Sequence, residues 1–225
     1  MNPKQRLKIF VDVLMTVALL LLMAYELIGQ ATHEVIGTAM FLLFLFHHAL
    51  NRGWIRNLLR GRYSPFRVVQ TLLVVLILVL MVLQTVSGVL LSRHLYTFLP
   101  SFGRTFAARS LHMLGAYWCF VLMSLHLGLH WSMVLVPFRK ASQGKIVILR
   151  AAGAAVAVLG VRAFFRRDVG AYLLGQIQFA FFDFEEPQLL FFLDYLAIMG
   201  LFIWVGHYLG VLLRRLSQKE SGVLK

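Results

Sequence analysis

Residues 33–48 read HEVIGTAMFLLFLFHH and residues 111–126 read LHMLGAYWCFVLMSLH. Each stretch holds two histidines fourteen residues apart in an apolar run, His33 with His47 and His112 with His126. On an α-helix fourteen residues turn through about 1400°, four turns less roughly 40°, and rise roughly 21 Å. Both histidines of a pair therefore face the same way at two depths. An ionisable side chain inside an apolar span is costly and by default marks function. Two helices with matching pairs offer four imidazoles in two layers. That suits two stacked b-type haems, each held between two axial histidines.

The rest of the chain supplies what such helices need. Of its 225 residues 60% are hydrophobic and only 14% charged, the balance of an integral membrane protein rather than a water-soluble domain. Six spans are expected: Ile9–Ile28, Ala31–Leu50, Val68–Leu91, Phe106–Val136, Ile146–Phe165 and Leu189–Leu213. The expected fold is an all-α integral membrane protein, a six-helix transmembrane bundle with the haems between helices 2 and 4. The spans use up the length, so residues 1–225 are read as a single membrane-embedded domain. Lys4, Arg6 and Lys8 ahead of an apolar run imitate a secretory signal. The run to Ile28 is too long for one and no A-x-A site follows, so it is read as an uncleaved first span.

Basic residues set the orientation. With the N-terminus cytoplasmic, only Arg93, Arg104, Arg109, Arg162, Arg166 and Arg167 of the 22 lysines and arginines fall outside. The others, among them Arg52, Arg56, Arg139, Lys140 and Lys225, fall inside, as the positive-inside rule requires of six spans with both termini cytoplasmic. The acids Glu26, Glu34, Asp168, Asp183, Glu185 and Glu186 gather on the outer face. The formal charge of +13 therefore reads as membrane anchoring, with no nucleic-acid partner expected. The single cysteine, Cys119, lies within an apolar helix and no C-x-x-C-H occurs. Covalent haem and iron–sulfur clusters are excluded, and any haem is held non-covalently.

One span separates helices 2 and 4, so they run parallel and equal spacing closes both layers together. His33 then pairs with His112 near the outer surface and His47 with His126 roughly 20 Å deeper. His48 and His130 fit worse as an inner pair: His112 to His130 rises roughly 27 Å and His33 to His48 roughly 22 Å. His94 reads as a wet interfacial histidine and His207 as a buried, hydrogen-bonded one. Gly37 and Gly115, close to the outer histidines, offer either room for a flat macrocycle or close helix packing. Arg104 and Arg109 near the outer layer, and Arg52 and Arg56 near the inner one, are candidate propionate partners, though most arginines here are topological anchors. Residues 166–188, RRDVGAYLLGQIQFAFFDFEEPQ, are too polar to span. They read as an interfacial helix on the outer surface, or more sharply as a lid or docking surface.

The chain resembles the flavinylation-associated cytochromes, a family of bacterial membrane b-type cytochromes. The resemblance covers nearly the whole length and rests on HEVIGTAMFLLFLFHHALNRGWI, LHMLGAYWCFVLMSLHLGLHW and FAFFDFEEPQ. The arrangement of two parallel helices with paired histidines is also similar to respiratory cytochrome b. The resemblance implies electron transfer in the bacterial inner membrane, between the quinone pool and extracytosolic proteins that carry covalent flavin mononucleotide. It maps His33, His47, His112 and His126 to the axial ligands of two haem b groups. No flavin-attachment motif occurs in this chain, so the flavin belongs to a separate partner.

Two other readings compete. One is a ferric-reductase-like two-haem oxidoreductase subunit, which needs a cytosolic flavin or nicotinamide module. The other is a haem-free transporter or assembly protein whose histidines bind metal or protons. Glu26, Glu34 and His94 are candidate acid–base groups for quinol oxidation, being near a membrane surface.

Overall fold

A computed structural model of the chain describes residues 2–98, 105–136 and 142–223, with side chains up to Gln218. Arg104, Arg139, Lys140 and Lys225 lie outside the described residues. Every element among the described residues is helical: α1 (Pro3–Met23), α2 (Tyr25–Ile28), α3 (Gln30–Leu50), α4 (Arg52–Arg56), α5 (Pro65–Leu91), α6 (Phe106–Val134), α7 (Gln143–Arg166), α8 (Val169–Leu173) and α9 (Gln188–Val223). Five of them, α3, α5, α6, α7 and α9 over Gln188–Gln218, are long and apolar enough to cross a membrane. α1 has the length, but Lys4, Arg6, Lys8 and Asp12 all lie within it. Leucines and valines such as Leu72, Val75, Leu76 and Val79 on α5 are exposed. Water would penalise such a surface and lipid tails match it.

Local chemistry explains the boundaries. Asn2 accepts a hydrogen bond from the Lys4 main-chain N at 3.0 Å, and Gln5 completes a capping box that starts α1 at Pro3. The expected first span Ile9–Ile28 is instead interrupted at buried Ala24, whose φ of −94° and ψ of 37° leave helical geometry. At Gly29 a φ of 77° turns the chain from α2 into α3, a conformation a side chain would strain. α9 runs past the expected Leu213 because exposed helix formers such as Arg215 and Gln218 continue it, and hydropathy registers only the apolar part.

The chain divides into two compact units. The first comprises Met1–Gly61, Val79–Ala116 and Ala171–Gln188. Here α1 packs antiparallel to α3: Lys8 and Asp12, early in α1, bond Asn51 and His47, at the end of α3. The expected interfacial helix shrinks to α8. Gly175, with φ 69°, closes it as the Gly175 and Gln176 main-chain N–H groups donate to the Tyr172 and Ala171 carbonyls, a Schellman pattern. Residues 176–187 that follow are not helical. Buried Tyr172 shapes them, its hydroxyl donating to the Phe179 carbonyl at 3.0 Å.

The second unit comprises Arg62–Leu78, Tyr117–Gly170 and Leu189–Lys225. Glycines bring its helices to backbone contact. A Cβ at Gly128 would run into the Ile203 carbonyl, one at Gly206 into the Leu125 carbonyl, and one at Gly160 into the Ala197 carbonyl. Without a hydrophobic drive between helices in lipid, such close approach supplies the dispersion contacts that hold them together. Phe120 and Ile198 are fully enclosed, and the Tyr117 and Tyr195 hydroxyls meet at 3.1 Å. Arg167 Nε donates to Asp194 Oδ2 at 2.8 Å, tying the end of α7 to the start of α9.

Candidate functional site

In the first unit α3 carries His33 in its first turn and α6 carries His112 in its second. Their ring centroids are 6.1 Å apart, with 70° between the planes. Tyr25 sets its ring edge-on to His33 at 5.1 Å. Behind His112 stands buried Ser87 of α5, whose Oγ lies 3.0 Å from the ring Nδ1. The Ser87 hydroxyl hydrogen is directed to the Leu83 carbonyl at 2.7 Å. A hydroxyl has one hydrogen to give, so its oxygen accepts from His112 Nδ1–H. That fixes the tautomer and leaves Nε2 with the bare lone pair a metal ion takes. Gly88 eases the placement, since a Cβ there would make a tight contact of 3.3 Å with His112 Cε1.

Do these residues fit a haem? Two imidazole–metal bonds of roughly 2 Å, plus the distance from each nitrogen to its ring centre, put ring centroids about 6 Å apart. The His33–His112 separation meets that requirement. His33 Nδ1 is buried with no hydrogen-bond partner among the described residues. Such an atom costs about 1–3 kcal/mol unless something engages it. The donor set also suits iron in a macrocycle, which needs two protein ligands. Among the described residues no group of three or more His, Cys, Asp or Glu is placed to hold a metal ion by itself. At Gly115 a Cβ would stand 2.6 Å from Gln84 Oε1, the far end of a flexible side chain. At Gly37 a Cβ would meet only Leu22, at an ordinary 3.8 Å.

Glu34, adjacent to His33, clasps the chain beyond α5. Its carboxylate accepts from Ser92 Oγ at 2.7 Å and from the main-chain N of Arg93, His94 and Leu95 at 2.8, 3.1 and 2.9 Å. The Thr38 and Tyr96 hydroxyls, 3.0 Å apart, add a second tie one turn along α3. A carboxylate engaged in this way is a structural clasp, which removes Glu34 from the acid–base candidates. Glu26 and the His94 side chain are exposed. In Glu34→Gln at least one main-chain N–H loses its acceptor whichever way the amide turns. The expected cost is about 1 kcal/mol, because water reaches the clasp. Tryptic cleavage after exposed Arg93 should then rise about fivefold; an unchanged rate would show that the clasp holds nothing.

His47 lies in the first unit and His126 in the second. His47 Nδ1 is 2.7 Å from Asp12 Oδ1 of α1. Asn51 Nδ2 donates to the His47 carbonyl at 2.9 Å and stands 3.4 Å from its Nε2. His48 donates Nδ1–H to the Phe44 carbonyl at 3.0 Å and packs on the Phe44 ring. In the second unit the His126 and His130 rings meet edge to face at 4.9 Å. Gln70 Nε2 stands 3.2 Å from His130 Nε2, so the amide donates to that nitrogen. At His207 the Nδ1 is buried with no hydrogen-bond partner among the described residues.

Arg109 lies over the Phe179 ring at 5.5 Å, while Arg52 and Arg56 of α4 are exposed. Periodicity does not reveal Asp12, Ser87, Gln70 or Asp194. Two of them carried a signal, since Asp12 and Asp194 are lone acids in apolar runs, and the rule applied to the histidines covers them equally. Comparison with protein-family models, with curated proteins and with solved structures finds no match to this chain.

Proposed function

We propose that the chain is a dihaem b-type cytochrome of a bacterial inner membrane, a flavinylation-associated cytochrome that passes electrons between the quinone pool and a separate extracytosolic FMN protein. The observation that carries the haem reading is the His33–His112 pair, 6.1 Å between ring centroids, with His112 Nδ1 held by Ser87. These two histidines would ligate one haem. On sequence spacing alone, His47 and His126 are assigned to the second. A bis-histidine haem iron takes up and gives back single electrons. The protein's part is to hold imidazoles in fixed tautomers and exclude water from them. Five apolar helices support the membrane setting. The six-span topology takes α1 as a further span, with Lys4, Arg6 and Lys8 at a cytoplasmic end.

The quinone and flavoprotein assignments rest on the resemblance, and one experiment tests the first. A short-chain quinol added anaerobically to the purified chain should reduce its haem spectrum. A spectrum that dithionite reduces and quinol does not would remove the quinone pool from this account.

A further inference from the structure

We propose that residues 51–60, with the start of α1, form a binding site for an anionic phospholipid, Arg52, Arg56 and Arg60 holding its phosphate and Ile55 and Leu59 meeting its acyl chains. The inference is independent of the haem reading and needs only the membrane setting.

The segment lies between two membrane-crossing helices, α3 and α5, and so at a membrane surface. α4 winds through Arg52–Arg56, and hydrogen-bonded turns carry the winding on. The Leu58 main-chain N donates to the Ile55 carbonyl at 3.1 Å, and that of Arg60 to the Asn57 carbonyl at 3.0 Å. Residues four apart on such a winding fall along one side. Arg52, Arg56 and Arg60 make one row, and Ile55 and Leu59 make the row beside it. All five are exposed, Leu59 to 94%. Lys8 of α1 joins the segment by donating to Asn51 Oδ1 at 2.8 Å, next to Arg52 in the chain. Exposed Lys4, one turn earlier on the same side of α1, adds charge at this end.

That charge has no counterpart in the chain. The sequence holds no aspartate or glutamate between Glu34 and Asp168. Asp12 of α1 is engaged by His47 at 2.7 Å. Among the described residues none of Arg52, Arg56 and Arg60 forms an ion pair. A guanidinium binds a phosphate through two parallel N–H groups, and basic side chains at a bilayer surface draw anionic lipid. The apolar row selects among anions. Inorganic phosphate offers nothing to Leu59, whereas one phospholipid satisfies both rows. Orientation of the spans requires only the number of basic residues on this side, not an exposed leucine among them.

Native mass spectrometry of the full chain in detergent, titrated with phosphatidylglycerol or with phosphatidylcholine of the same acyl chains, tests the proposal. The wild type should retain phosphatidylglycerol at least about tenfold more tightly. Replacing Arg52, Arg56 and Arg60 together by Gln should abolish that preference. Replacing exposed Lys145, Arg150 and Arg215 of the second unit by Gln removes the same charge and should keep it. Two milder variants decide the matter if the triple arginine variant fails to fold. Arg56→Gln should reduce the preference about fivefold, and Leu59→Ser, which changes no charge, should weaken phosphatidylglycerol retention about tenfold. Equal retention of the two lipids by the wild type would overturn the proposal. So would a preference untouched by the arginine variants or lost equally in the control, unchanged retention in Leu59→Ser, or displacement of the lipid by an equal concentration of inorganic phosphate.

Discussion

His33→Ala and His112→Ala are each expected to remove one haem, and the same one. The two rings stand 6.1 Å apart, one on α3 and one on α6, so each variant leaves a site with a single imidazole. Haem content should fall from about two per chain to about one in both, since a six-coordinate b-type site depends on both axial bonds. The surviving haem should have the same midpoint in the two variants. His130→Ala should retain both haems, because the rise from His112 to His130, roughly 27 Å, does not match the roughly 22 Å from His33 to His48. Haem quantification with potentiometry separates the outcomes. If His33→Ala and His112→Ala lost haems of different midpoint, the two histidines would serve different sites.

Asp194→Ala has the other large expected effect, on stability. Asp194 accepts from Arg167 Nε at 2.8 Å and stands 3.5 Å from Arg166, and the Arg167 and Asp194 side chains are only 11% and 13% exposed. Removing the acceptor from a part-buried charged pair costs about 1–3 kcal/mol, because the guanidinium loses this acceptor. The Arg167 guanidinium would keep its place over the Phe191 ring, 5.2 Å away, and a cation–π contact is worth only about 0.5–2 kcal/mol. A thermal scan of the detergent-solubilised chain should therefore show a markedly lower midpoint for Asp194→Ala. An equal midpoint would mean that this pair contributes nothing to holding α7 against α9.

What could be read from the sequence was what depends on near neighbours. Apolar runs of helical length gave α3, α5, α6, α7 and α9 with ends a few residues off, because helix persists where polar helix formers continue an apolar run. Fourteen-residue spacing placed His33 and His47 on one helix and His112 and His126 on another. What could not be read depends on contacts across the fold. The Ser87–His112 bond joins residues 25 apart and the Asp12–His47 bond residues 35 apart, and no period links either pair. Glu34 has the chemistry of a proton acceptor, yet it is occupied by a segment nearly sixty residues further on. Residues 166–188 failed as a helix for a local reason: Gly175 adopts a left-handed conformation and closes α8 after five residues.

If the matched histidines hold haem, the visible spectrum of the purified chain shows it most directly. Expressed with ample haem and reduced with dithionite, the chain should show the α-band of a six-coordinate b-type cytochrome. Pyridine haemochrome analysis should give about two haems per chain, all extracted by acidified acetone. A colourless chain under those conditions would contradict the account, and haem that stays attached after denaturation would contradict its non-covalent form.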